Sequence, residues 1–191
     1  MARTREFDQD EVLDAALQAF WRKGYEATSL SDLLDATGLA RQSLYNAFGD
    51  KRALFLAALR RYVDAAIEQF TKALEKGSVK AAIRRVFEDV PAAGKNRGCG
   101  CFLVNSATEL MPRDPEVGRL FASALDRQER ALAEALRRGV RKGELHLPPK
   151  RIGETARFLV SALQGLRVMA KAMPDSPALR DTIAVALRAI E

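Results

Sequence analysis

Ser29-Leu30-Ser31-Asp32-Leu33-Leu34-Asp35-Ala36-Thr37-Gly38-Leu39-Ala40-Arg41-Gln42-Ser43-Leu44-Tyr45-Asn46-Ala47-Phe48-Gly49 is the stretch whose reading decides the fold. Ser29 suits a helix N-cap, with Asp32 three residues on, and Leu30, Leu33 and Leu34 share one face of the helix they begin. Gly38 stops that helix. A second starts near Ala40 and ends at Gly49, with Leu44, Phe48 and part of Tyr45 available for packing. Two short helices joined across Thr37-Gly38-Leu39 make a helix-turn-helix unit, whose second helix offers its N-terminal side chains to base edges in a major groove. Arg41 can fork onto guanine, Gln42 can pair with adenine through two bonds, and Ser43 can bond either way. Tyr45 and Asn46 are placed to reach flanking phosphates. Lys51 adds its charge to the free N–H groups of the next helix's first turn, and Thr28 and Ser29 face the other strand's backbone.

Upstream, Asp8 caps a first helix with Glu11 as its expected box partner, and Phe7 can staple onto Val12. Leu13, Ala16, Leu17, Phe20 and Trp21 follow at helical spacing until Gly24. This helix gives the pair something to pack on. Downstream, Asp50 caps a long helix carrying Phe55, Leu59, Tyr62, Ala66, Ile67, Phe70 and Leu74, ended by Gly77. Ser78 restarts a helix to about Asp89, and residues 91–100 read as a loop. Residues 102–111 form a short apolar helix ended by Pro112, and Pro115 opens another long one. After a turn over residues 143–149, two helices run about 150–173 and 177–190. The chain is expected to be all-α, with about nine helices: a helix-turn-helix domain over residues 1–50, then a larger helical domain over 51–191.

Bulk properties exclude several classes. No stretch approaches the roughly 20 apolar residues of a membrane span, since the longest charge-free run, Gly98 to Thr108, is too short. Residues 1–6 lack the apolar core of a signal peptide, so a cytoplasmic protein is expected. The net charge of +6 favours acidic partners. Its distribution weakens that inference: residues 1–52 hold 7 Lys/Arg against 9 Asp/Glu, a net of −2, and the remainder holds 24 against 16, a net of +8. The case for DNA therefore rests on local geometry.

Gly24-Tyr25-Glu26-Ala27-Thr28-Ser29-Leu30, Gly38-Leu39 and Ser43-Leu44-Tyr45-Asn46-Ala47-Phe48-Gly49-Asp50-Lys51 together resemble the N-terminal domain of the TetR family, closely over residues 8–56 and elsewhere mainly in length and helix count. Ala40 departs from the pattern, because members commonly carry Ser or Thr there as cap and phosphate contact. The resemblance implies a homodimer built from the last two helices, with Ser161, Ala162 and Gly165 as a small-residue patch. Two heads about 34 Å apart would then read a palindromic operator. Ordinary intrachain packing is the alternative for these two helices. The resemblance also implies a small-molecule effector, a repressor released by it, and no cofactor. Pocket candidates are Tyr62, Ala66 and Phe70 on the fourth helix; Phe102, Asn105, Ser106 and Glu109 on the sixth; Phe121 and Leu125 on the seventh; and Leu163, Gln164 and Arg167 on the eighth. Each could equally be plain core.

The segment Arg97-Gly98-Cys99-Gly100-Cys101-Phe102 is similar to one branch of the family, where a Gly-Cys pair precedes the sixth helix. Cys101 at that N-terminus would be more nucleophilic, so Cys99 and Cys101 are candidates for a thiol sensor; a small buried cysteine beside a flexible one is the plainer reading. A metal site lacks ligands, since Cys-x-Cys supplies two and His146, which reads as a surface turn residue, is distant. A thiol redox enzyme would need Cys-x-x-Cys spacing and a sheet. No Ser/His/Asp constellation or phosphate-cradling glycine loop points to catalysis. A helical scaffold without DNA affinity explains the apolar residues and glycines but not the polar run Arg41-Gln42-Ser43.

Overall fold

Polar caps set where most helices begin in the computed structural model, which describes residues 7–90 and 99–191. The described residues form α1 (Gln9–Lys23), α2 (Leu30–Thr37), α3 (Arg41–Phe48), α4 (Lys51–Glu75), α5 (Val79–Glu88), α6 (Phe102–Leu110), α7 (Pro115–Arg141), α8 (Arg151–Ala172) and α9 (Pro177–Arg188). No strand occurs among them. The all-α expectation holds, with each expected helix found within a few residues of its place. The expected loop over residues 91–100 and the leading residues 1–6 lie largely outside the described residues.

Asp50, Ser78, Asp114 and Ser176 each accept a hydrogen bond from a first-turn N–H of the helix they precede. Ser29 and Asp32 form a full capping box. At α1 the expected box is replaced by a simpler cap: Asp8 accepts from the N–H of Asp10 at 2.8 Å, one residue short of Glu11. Ala40 caps α3 with no side-chain bond, as its missing hydroxyl requires. Gly38 closes α2 in the left-handed region (φ 67°, ψ 12°), where its N–H reaches Leu34 O at 2.8 Å. A residue with a Cβ would be strained there.

Two apolar cores result. The first gathers Leu17 and Phe20 of α1, Leu33 of α2, Leu44 of α3 and the first half of α4, and extends into α6 and α7 through Phe102, Leu103, Leu110, Val117 and Ala124. The second joins the end of α4 to α5, the rear of α7, α8 and α9. The apolar core therefore does not divide at residue 50: the head is welded to α6. Aromatic rings mark the weld. Phe55 lies 5.2 Å from Phe20 and 5.8 Å from Phe102, and Tyr62 lies 5.0 Å from Trp21 and 5.6 Å from Phe102, all edge-on. Such pairs contribute about 0.5–1.5 kcal/mol each beyond their buried area. On the surface, Arg52 forks onto Asp114 (2.8 and 3.0 Å) and also reaches Glu116 (3.1 Å), tying the start of α4 to that of α7. Hydrogen bonding to Arg52 lowers the pKa of the Asp114 carboxyl below its ordinary value.

Candidate nucleic-acid interface

The recognition helix presents one polar face and one anchor. Leu44 is fully buried, with Phe48 packed beside it in the first core. Arg41, Gln42 and Asn46 are exposed, while Ser43 and Tyr45 are half-buried. Helical spacing pairs the exposed groups: Gln42 Nε2 donates to Asn46 Oδ1 at 2.9 Å, and the Arg41 guanidinium sits 5.7 Å from the Tyr45 ring centroid. Both contacts are at the surface, so a base edge or phosphate can exchange with them cheaply.

Lys51, in the first turn of α4, is half-buried, with its ammonium 4.5 Å from the Tyr25 ring centroid and 3.4 Å from Glu26 O. Its charge is thereby held beside the turn between α1 and α2. Ser29 is exposed, and its hydroxyl is bound up with the Asp32 carboxylate and N–H. Thr28 requires a correction. It is fully buried, and its hydroxyl donates to Gly24 O at 2.5 Å, so its side chain shapes the turn instead of facing phosphate. The Asp32 carboxyl is pushed down to about 2 by hydrogen bonds from Lys23, then from the N–H and hydroxyl of Ser29.

The expected effector residues divide between two cavities and plain packing. A central gap of about 10 Å³ is lined by Tyr62, Ala66, Cys101 and Arg167, room for at most a single water. Gln128, buried on α7, accepts from Gln164, which in turn accepts from Arg167. Phe102, Asn105, Ser106 and Glu109 instead border a larger cleft of about 350 Å³ against α1. Phe70 is core, and Phe121 and Leu125 pack against the two cores without lining either cavity. Cys99 and Cys101 are free thiols, both half-buried. Cys101 is the N-cap of α6, and the Tyr62 hydroxyl lies 3.4 Å from its sulfur. Burial, and next the neighbouring Cys101, raises the pKa of the Tyr62 phenol. Among the described residues no group of three or more His, Cys, Asp or Glu is placed to hold a metal, and no helix is long and apolar enough to cross a membrane.

Residues 12–58 match the bacterial regulatory proteins of the tetR family, and residues 79–186 match the tetracyclin repressor-like C-terminal domain. The chain belongs to the TetR family. It is 39% identical over 194 residues to the uncharacterized HTH-type transcriptional regulator YezE of Bacillus subtilis (strain 168), covering 100% of each chain. It is 36% identical over 174 residues to the HTH-type transcriptional repressor ComR of Escherichia coli (strain K12), covering 88% of this chain and 82% of that one. Among solved structures, a cysteine-substituted form of the TetR family transcriptional regulator CifR, complexed with 26-bp double-strand operator DNA, superimposes with a TM-score of 0.84 at 30% identity over 100% of both chains. The relatives of this TetR-family chain are transcriptional regulators, not enzymes.

Two features of this TetR-family protein escape a sequence reading. The Glu109 carboxylate of α6 accepts the N–H groups of Tyr25 (3.0 Å) and Glu26 (2.8 Å) in the α1–α2 turn. Trp21 of α1 donates its indole N–H to Gly100 O at 3.0 Å. Both join segments about 80 residues apart, and no local pattern announces such a partner.

Proposed function

We propose that this TetR-family chain is a homodimeric repressor that binds a palindromic operator in the cytoplasm and is released from it by a small molecule. The observation that carries the reading is the polar face of α3: Arg41, Gln42 and Asn46 stand exposed above the buried Leu44. In this reading Arg41, Gln42 and Ser43 contact bases. Tyr45, Asn46, Ser29 and Lys51 contact the backbone, Lys51 through a charge already held at the edge of the head. Residues 1–50 act as the DNA-reading part and residues 51–191 as the effector and dimerisation part.

The dimer is supported by α8 and α9. Phe158, Ser161, Gly165 and Val168 recur along one exposed face of α8, with Phe158 46% and Val168 53% accessible. Val185 of α9 is 57% accessible. Apolar and small side chains left in water on the two helices expected to pair are what a self-complementary interface needs. A single helix-turn-helix reads few base pairs, so pairing two heads also supplies the specificity.

Retardation of the protein's own upstream duplex, measured across salt concentrations, tests the reading. The expected result is a sequence-preferring complex whose affinity falls steeply with salt. Failure to retain any duplex at low salt would remove it.

A further inference from the structure

We infer that the cleft between α1 and α6 is the effector site, and that it takes a small amphipathic organic anion. This deepens the proposed regulation and rests on it for its biological meaning, not for its chemistry. At about 350 Å³ the cleft has the size of ordinary small-molecule sites, whereas the central gap among α4, α7 and α8 has about 10 Å³.

A buried polar group marks it as a binding site. Ser106 lines the cleft and is 1% exposed, yet its hydroxyl oxygen has no hydrogen-bond partner. A buried hydroxyl without a partner is rare, because the bonds it made to water are lost on folding. A ligand oxygen in the cleft would supply the missing one.

The charges choose the sign of that ligand. Arg22, Lys23 and Lys171 line the cleft against a single acid, Glu109. Lys23 is paired with Asp32. Among the described residues, neither Arg22 nor Lys171 forms an ion pair, and the Lys171 ammonium rests on the Asn105 amide oxygen at 3.2 Å. The Glu109 carboxylate, which accepts the Tyr25 and Glu26 N–H groups, offsets one of these charges and leaves the cleft net positive. Trp21 supplies aromatic surface, with Phe20 and Phe102 buried beneath it, beside the polar Asn105 and Thr108. Two cations without ion-pair partners, a hydroxyl and an indole face on one cleft fit a carboxylate on a small aromatic body.

The position explains how such a ligand would regulate. One wall is α1 of the DNA head and the other is α6, so the site is shared between residues 1–50 and 51–191; the two sides are already joined by Trp21 to Gly100 O, just before α6, and by Glu109 to the α1–α2 turn. A ligand wedged between them acts on the head directly, and by linkage operator binding must weaken the ligand by the factor the ligand weakens the operator.

Trp21 is the sole tryptophan of the chain and lines the cleft, so its emission reports occupancy without DNA. Titration of the full chain with benzoate should give a saturable change, with neutral benzamide at least about tenfold weaker. Ser106→Ala and Lys171→Met should each weaken benzoate about tenfold while leaving thermal unfolding of the free protein in place; Met keeps the stem that packs on Gly100. No saturable response, an equal response to benzamide, or wild-type affinity in both variants would overturn the assignment. A chain that binds benzoate but retains no duplex loses the repressor reading and keeps the site. The reverse result loses the site alone.

Discussion

Gly24 and Glu109 fit one another at the junction of head and body. Gly24 has φ +84°, and a Cβ placed on it would lie 2.9 Å from Glu109 Oε2, closer than such atoms come. The glycine that ends α1 therefore also leaves space for the carboxylate that receives the next two N–H groups of the turn. One residue ends a helix and admits a contact from α6, 85 positions away.

Gly24→Ala should destabilise the fold by about 1–3 kcal/mol, from the unfavourable backbone region and the clash together. Denaturant unfolding should show a lower midpoint with an unchanged slope. Glu109→Gln keeps one acceptor oxygen and puts an NH₂ group against the other N–H, so it should loosen the turn and weaken operator binding more than it lowers global stability. A Glu109→Gln protein with wild-type operator affinity would show that the contact does not hold the head.

Arg41→Ala and Gln42→Ala should each cost about 1–3 kcal/mol on the preferred operator and little on unrelated duplex, relaxing sequence preference. Lys51→Ala should weaken all sequences alike and flatten the salt slope by about one. A loss at Lys51 confined to particular base pairs would contradict its assignment to the DNA backbone.

The Asp32 carboxyl titrates at about 2 in the folded chain against an ordinary 3.8. A depressed carboxyl adds stability at pH values above 3.8, and that contribution fades as pH falls through this window toward 2. The stability difference between wild type and Asp32→Asn should therefore be constant near neutrality and shrink below about pH 4. A difference independent of pH down to 2 would mean that Lys23 and Ser29 do not hold the charge.

The head was legible from sequence because its signals are local. Ser29 with Asp32, Gly38 and the bare Ala40 cap each act within a few residues, and the structure reproduces each. Thr28 was misplaced because its hydroxyl turns back onto Gly24 O, a choice fixed by the turn's shape and not by residue type. Helix periodicity tells inward from outward but not which neighbour lies inward. Phe70 faces the second core, whereas Phe102 and Asn105 face α1. Glu109 borders that same cleft against α1, but its bonds to the Tyr25 and Glu26 N–H groups escape the sequence, because no side-chain pattern encodes a backbone partner.

Gly165 offers the sharpest test of the dimer. A Cβ there would meet nothing within 4 Å in its own chain, and a helical glycine replaced by another residue gains up to about 1 kcal/mol in helix propensity. Gly165→Arg should therefore fold as well as wild type. A partner helix packed on Phe158, Ser161, Gly165 and Val168 would have to accommodate an unpaired guanidinium at close approach, which costs several kcal/mol. Sedimentation should show wild type at twice the monomer mass and Gly165→Arg as monomer, with palindromic operator affinity lost in parallel. If both proteins sediment alike, α8 does not form the interface through this face.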